Sequence, residues 1–316
     1  MIDLRQLEMF RQVVESGSFS AAARAMHCTQ PAVSQQIKAL ERTVGGPLFA
    51  RVGRTLRLTE AGTTLARHAA EILDSMAVAQ QQVKAVATLE TGTVRVCAFP
   101  SANATLVPYA AAALKERYPQ VRLELLEAEP PESYQVLRRA ECDVVVAFTY
   151  ESDPPRPAEA GMAEAGMLEV PLLVDSLVLL VPTGHPLAER HSVQLSDLAE
   201  ETWIAGCPRC RSSFVHACAG SGFAPSIACA TDDNLALQGL VAAGLGVALL
   251  PSLVLAFLQH PDVVAVRVEP VLRRTVSAYT WPDLARTSAI TAMLEALRSA
   301  ADSIGPTAFA TSAQSS

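Results

Sequence analysis

Residues 4–44 hold three short apolar runs at helical spacing, and the third carries a polar outer face. Leu4, Leu7, Phe10 and Val14 fall on one side of a first helix, which Gly17 stops. A second helix from Ser18 packs Phe19, Ala22, Ala23 and Met26. After the turn His27-Cys28, Thr29 is a good N-cap, and Pro31 fits the first turn of a third helix, where its missing N–H costs nothing. That helix is expected to bury Val33, Ile37, Leu40 and Val44 and to expose Ser34, Gln35, Lys38 and Arg42. Two helices joined by a tight turn, the second polar on its free side, are how a helix-turn-helix offers side chains to a DNA major groove. Gly45–Thr59 then reads as a small basic β-hairpin around a Gly53-Arg54 turn, which predicts a winged helix-turn-helix over residues 1–60.

Charge supports that reading once it is divided by position. The 316-residue chain carries a formal charge of -7, but residues 1–60 carry +3 and the remainder -10. A small basic module on an acidic body suits a polyanion partner, because Lys and Arg supply most non-specific affinity for phosphate. The N-terminus, with Asp3 and Glu8 and no long apolar core, matches neither a signal nor a transit peptide. Runs such as Leu177–Pro182 and Leu245–Pro251 are too short to span a bilayer, so a cytoplasmic protein with no membrane partner is expected. Seven cysteines without an export signal argue for reduced thiols rather than a disulfide framework.

From Glu60 to Leu89 a single helix is predicted, in which Leu65, Ala69, Ile72, Met76, Ala79, Val83 and Val86 alternate steps of four and three. Such a seam implies a homodimer through residues 60–89, the alternative being that it packs on its own chain. Beyond Gly92, β-branched runs alternate with helical stretches. Strands are expected near 94–99, 121–126, 143–148, 177–182, 227–230 and 246–250, which means βαβ units in an α/β body. The Asp153-Pro154-Pro155-Arg156-Pro157 stretch reads as a loop or linker near the middle of that body. The end of the chain, residues 304–316, reads as a disordered tail.

The N-terminal segment closely resembles the DNA-binding domain of LysR-type transcriptional regulators. The resemblance lies in Leu4-Arg5-Gln6-Leu7-Glu8-Met9-Phe10, Gly17-Ser18-Phe19-Ser20-Ala21-Ala22-Ala23-Arg24, Thr29-Gln30-Pro31-Ala32-Val33-Ser34-Gln35-Gln36-Ile37-Lys38-Ala39-Leu40-Glu41, Leu48-Phe49-Ala50-Arg51 and Leu58-Thr59-Glu60-Ala61-Gly62. Weaker likenesses follow in His185-Pro186-Leu187-Ala188 and in the Val241–Pro251 segment. The resemblance implies a periplasmic-binding-protein-like effector domain at 91–303. Subdomain I would cover about 91–163 and 269–303, subdomain II about 164–268, with a small effector between them. It also implies double-stranded operator DNA as partner, RNA polymerase as a further one, a homodimer that assembles into a homotetramer, and no enzymatic activity.

On matching positions, Gln30, Pro31, Ser34, Gln35 and Lys38 would line the recognition face, with Gln35 suited to an adenine edge and Lys38 to guanine or phosphate. Arg51 and Arg54 would hold phosphates or enter a narrow minor groove, Thr29 serves at least as the N-cap, and Arg42 and Arg57 read as solvated charge. In the body, the Pro100–Thr105 loop offers Ser101, Ala102, Asn103 and Thr105 to an anion, with helix capping by Ser101 or Thr105 as the alternative. Opposite it, Cys207, Arg209, Cys210 and Arg211 open another helix, and two arginines there suggest an anionic effector. Three roles for these cysteines stay open beside inert burial: lining the ligand site, thiol-redox sensing with Cys218, or a zinc site from Cys207, Cys210, His216 and Cys218. Cys28, Cys97, Cys142 and Cys229 read as small hydrophobes. No cofactor or bound metal is expected. Gly244-x-Gly246 lacks the third glycine of a dinucleotide loop, and no spacing suggests a catalytic triad. A solute-binding or enzymatic α/β protein with an N-terminal dimerisation arm is the rival of another class, and an arm has no need of the Ser34-Gln35-Lys38 face.

Overall fold

The computed structural model describes residues 2–52, 55–87, 93–151 and 166–304. Arg54, the 88–90 end of the long helix, the Asp153–Pro157 stretch and the tail from 305 lie outside the described residues, as do the side chains of Val83 and Val86. The chain divides into two compact units, residues 1–83 with 138–140, and residues 84–137 with 141–316.

In the first unit, α1 (Leu4–Ser16) begins at Asp3, whose carboxylate accepts the Arg5 N–H at 3.1 Å while Gln6 Oε1 accepts the Asp3 N–H at 3.3 Å. It ends where Gly17 takes the left-handed φ of 67° that a Cβ would penalise. Ser18 caps α2 (Phe19–Ala25), and Thr29 caps α3 (Gln30–Val44) with Pro31 in its first turn. Leu7, Phe10, Val13, Ala22, Ala23, Val33, Ile37 and Leu40 form one core. Val44, expected in that core, is exposed: it is the last helical residue before left-handed Gly45, and Leu48 closes the core at that end instead.

The wing is β1 (Phe49–Val52) antiparallel to β2 (Thr55–Leu58), with Phe49 opposite Leu58. Glu41 on α3 accepts the Leu48 N–H at 2.8 Å, and the Phe49 ring lies 5.3 Å from Phe10 and 5.6 Å from Phe19, so the hairpin is seated on the helices. Helix α4 (Glu60–Ala87) then starts beneath it, its Gly62 N–H donated to Thr59 Oγ1 at 3.0 Å.

The heptad seam of α4 serves two purposes. Leu65 and Ala69, with Leu73, pack into the core of their own unit. Ile72 and Met76 are 46% and 42% exposed, and Ala79 is exposed as well, which leaves an apolar stripe one turn further along.

The second unit is an α/β body. Strands β3 (Thr93–Ala98), β4 (Arg122–Glu127) and β5 (Val144–Tyr150) are parallel, joined by α5 (Pro100–Ala104), α6 (Leu106–Arg117) and α7 (Glu132–Arg138). The 15-residue β6 (Leu168–Pro182) runs through both halves: Leu168–Ser176 pair with β12 (Arg273–Thr280), and Leu177–Pro182 with β10 (Ala248–Pro251) and β11 (Val263–Glu269). The strand expected at 177–182 is therefore the second half of a longer one, and its pairing changes partner at Ser176–Leu177.

The first lobe packs α6 and α11 (Ser288–Ile304) on β3, β5 and β12. The second lobe adds β7 (Ser192–Gln194), the parallel pair β8 (Thr202–Ala205) and β9 (Ser226–Ala230), and helices α8 (Pro208–Gly220), α9 (Asn234–Ala242) and α10 (Ser252–Leu255).

A Cβ at Gly62 would overlap the Leu48 carbonyl oxygen, which already accepts the Thr59 N–H at 3.0 Å. Gly62→Ala should therefore lower the stability of the winged unit by about 1–3 kcal/mol, read as an earlier thermal transition. An unshifted transition would show that α4 can move away from the wing at no cost.

Candidate nucleic-acid interface and ligand cleft

The outer face of α3 borders an open groove lined by Gln30, Pro31, Ser34, Gln35, Lys38, Glu41, Arg42, Gly45 and Pro47. Gln30, Pro31, Gln35 and Lys38 are exposed and Ser34 half-buried, so every position expected on the recognition face reaches solvent. Gln30 Nε2 donates to Ser34 Oγ at 2.8 Å, which holds one amide along the groove. Thr29 Oγ1 accepts the Ala32 N–H at 3.4 Å, so its hydroxyl is occupied as a cap. Arg42 Nε donates to the Lys38 carbonyl at 3.3 Å, turning that guanidine back along its own helix. Arg51 stands exposed on β1; Arg54, expected beside it, lies outside the described residues.

In the body, the two lobes meet around a small cavity of about 30 Å³, bordered by Phe99, Ser101, Glu129, Cys207, Cys210 and Arg274 among others. One wall is Arg274, held in a buried ion pair. Arg274 on β12 and Asp175 opposite it on β6 are each only 2% exposed, with Nη2 to Oδ2 at 2.8 Å and Nε to Oδ2 at 2.9 Å. Asp175 Oδ1 also accepts from Ser252 Oγ at 2.7 Å and from the Leu253 N–H at 3.1 Å in α10. Arg274 Nη2 donates to Ser101 Oγ at 3.0 Å, and its guanidinium sits 4.9 Å and 4.8 Å from the Phe99 and Phe148 rings.

The Pro100–Thr105 segment is a short helix, not the loop expected, because Pro100 supplies the fixed φ of a first turn after extended Phe99. Neither hydroxyl caps it. Ser101 is engaged by Arg274, and Thr105, buried, donates to the Ser101 carbonyl at 2.6 Å. Of the expected effector residues, Ser101, Cys207 and Cys210 border the cavity. Arg209 lies beside it over the Phe148 ring at 5.6 Å, whereas Ala102, Asn103, Thr105 and Arg211 are not among its lining.

The cysteines depart from the expectation of reduced thiols. Cys207 and Cys210 form a disulfide at the start of α8, where Cys207 is the N-cap and its sulfur accepts the Cys210 N–H at 3.1 Å. The i, i+3 spacing on a first helical turn brings the two sulfurs together. Cys218, grouped with them from sequence, packs instead into the second-lobe core with Trp203 and Phe214, and burial pushes its thiol up to about 12. His216 is exposed on the same helix. Cys97 and Cys142 are buried as expected of small hydrophobes, while Cys28 and Cys229 are partly exposed.

Two family models divide the chain between them. "Bacterial regulatory helix-turn-helix protein, lysR family" matches residues 4–63, and "LysR substrate binding domain" matches residues 87–302. The chain belongs to the LysR family. It is a DNA-binding transcriptional regulator with an effector-binding α/β domain. Among similar LysR proteins, the transcriptional dual regulator GltC of Bacillus subtilis (strain 168) is 31% identical over 281 residues, 87% of this chain and 89% of its own. The dual regulator OxyR of Escherichia coli (strain K12) is 26% identical over 306 residues, 95% of this chain and 96% of its own. The crystal structure of full-length CbnR with its target DNA has a similar fold, at a TM-score of 0.58 and 24% identity, covering 95% of this chain and all of that one. No helix among the described residues is long and apolar enough to cross a membrane.

Sequence reasoning missed Glu129, Asp175 and Arg274. One signal was present: Asp175, followed by Ser176, interrupts the apolar run from Leu172 to Leu180. Arg274 gave none, since a charge in a short strand ordinarily reads as solvent-facing. Burial raises the Glu129 carboxyl above its usual value, with Arg274 opposing the shift.

Two stability outcomes follow. Asp175→Ala strands the Arg274 charge and should cost about 3–5 kcal/mol in chemical denaturation; a loss under about 1 kcal/mol would mean that the pair behaves as a surface bridge. Glu129 holds its proton more tightly folded than unfolded, so its ionised form lowers stability as pH rises above the 4.5 of a free carboxyl. Glu129→Gln should raise the melting temperature near neutral pH and leave it unchanged below about pH 4; no gain at neutral pH would overturn this.

Proposed function

We propose that this regulator reads its operator with Gln30, Pro31, Ser34, Gln35 and Lys38 of α3 in the major groove, with Thr29 fixing the helix start. Arg51 and Arg54 of the wing hold the flanking backbone or enter the minor groove. The observation that carries this is the outward face of α3, where exposed amide and ammonium groups stand side by side over an apolar core. CbnR, of similar fold, has been crystallised with its target DNA. The division adopted is 1–60 for operator reading, 61–90 for dimerisation and 91–303 for effector binding, and the protein acts in the cytoplasm and not as an enzyme.

The exposed Ile72, Met76 and Ala79 stripe of α4 is the surface through which two copies pair. A dimer then sets two recognition helices against the half-sites of a pseudo-palindromic operator, and dimers of dimers extend the contact. A small effector in the cleft of the body acts by binding one arrangement of the assembly better than another, with RNA polymerase as the eventual partner. The Cys207–Cys210 disulfide at that cleft favours a second reading, in which thiol oxidation is the signal.

Operator duplexes selected from a random pool, measured by fluorescence anisotropy across a salt series, test the proposal. Lys38→Ala should weaken binding about 5–100-fold, and the salt slope should fall by about one if the ammonium meets phosphate. Unchanged affinity and slope would remove Lys38 from the interface.

A further inference from the structure

Three side chains with metal-ligating atoms converge on the cleft from opposite lobes. Glu129 follows β4 in the first lobe, while Cys207 and Cys210 open α8 in the second. Their ligand atoms all lie within 4.8 Å of one another. All three border the cavity of about 30 Å³. That space is far below the roughly 300–1,000 Å³ that encloses an organic ligand, yet it admits one ion or one water, for which about 10–15 Å³ suffices.

We infer that, with its disulfide opened, the Cys207/Cys210 pair joins Glu129 in a site for one thiophilic divalent cation, of which zinc is the type, bridging the two lobes. The inference rests on the regulator reading and names the class of effector.

The geometry meets the demands of a tetrahedral ion. Two thiolates on zinc stand about 3.8 Å apart, and a thiolate and a carboxylate oxygen about 3.6 Å, for bonds of about 2.3 and 2.1 Å. From the present spacing the two sulfurs have to part, and the Glu129 carboxylate, already within 4.8 Å of both, has to close to bonding range. The Cys210 N–H already donates to Cys207 Sγ at 3.1 Å, a contact that supports a negative sulfur. Arg274 pairs with Asp175 and Arg209 lies over Phe148, but both positive charges still reach Glu129, so the cation has to be held by two thiolates together with the carboxylate. Asp232 and Thr231 border the same cavity and bring further oxygen-bearing side chains to it.

The chemistry balances in two steps. A low-molecular-weight dithiol gives two electrons and two protons to the Cys207–Cys210 bond, forming two thiols and its own disulfide. The cation then displaces both thiol protons and binds two thiolates and the Glu129 carboxylate. The oxidised pair offers no thiolate, so disulfide and ion exclude each other. Because Glu129 and the cysteines belong to different lobes, the ion favours whichever lobe arrangement keeps them together.

The test uses the full-length protein, reduced and freed of reductant, with Zn²⁺ titrated against a chromogenic chelator and Cd²⁺ followed by its ultraviolet thiolate charge-transfer band. One ion per chain is expected, with the band present. It should be lost in Cys207→Ser, in Cys210→Ser and after oxidation to the disulfide, and kept in Cys229→Ser. Glu129→Gln should keep the band but weaken Zn²⁺ binding by about tenfold or more. Two titratable thiols at this pair with no bound ion, a pair that cannot be reduced in the folded protein, a band that survives Cys210→Ser, or unchanged affinity in Glu129→Gln would each overturn the inference. Operator binding is measured on the same samples. Failure to bind metal with operator binding intact removes only the cation, whereas failure to bind operator in every metal and redox state removes the regulator reading.

Discussion

The Arg274–Asp175 ion pair is the constraint on which the effector domain depends. Two charges out of water cost several kcal/mol each, and mutual attraction repays this only when the remaining hydrogen-bonding capacity is also met. Here Asp175 takes four contacts, two from Arg274 and two from the start of α10. Arg274 adds Ser101 and two aromatic faces. Its partners come from both lobes, so the pair joins them at the point where β6 passes from one to the other. An apolar pair could fill the same volume, but it would not tie the α5 hydroxyl and the α10 amide to one point. The short distances follow from register, since Arg274 and Asp175 face each other across the β12–β6 ladder.

That network also explains why the cleft is so small. Ser101 would be the natural donor to an organic anion; its oxygen accepts from Arg274, which leaves the O–H to donate but pins the hydroxyl against the buried guanidinium. A carboxylate ligand would have to take the guanidinium from Asp175 or widen the cleft against the hydrogen bonds to Ser252 and Leu253. Either route spends binding energy on rearrangement, and that differential energy is what can shift a regulator between states. In the first unit the same economy appears in α4, which gives Leu65 and Ala69 of its seam, with Leu73 beside the seam, to its own core and keeps Ile72 and Met76 outward.

The winged unit was legible because its signals are local. Gly17, Ser18, Thr29 and Pro31 each act within a turn of where they stand, and they place three helix boundaries without tertiary information. Val44 is where local reasoning failed: periodicity assigned it to the core, but the core ends with the helices beneath it and is closed by Leu48. In the body, strands buried on both faces showed as apolar runs. Strand β12 did not, because Arg273, Arg274 and Ser277 break its pattern, and the charge that breaks it is the one buried against Asp175, 99 residues away in the chain. No window of sequence contains that pairing.

The cleft residues divide by the same rule. Cys207 and Cys210 could be found from sequence, since a spacing of three on a helix start brings two sulfurs together whatever the rest of the fold does. Cys218 could not be told from them, because its separation depends on the face of α8 it occupies: it points toward Trp203 and Phe214, where burial keeps its thiol protonated and unreactive. Glu129 enters the set only through the sheet, which carries the end of β4 to the opening of the second lobe. The chemistry available at this cleft is thus fixed partly by one turn of helix and partly by topology. A change confined to either lobe leaves an incomplete set, which is what a device that reports on the relation between lobes requires.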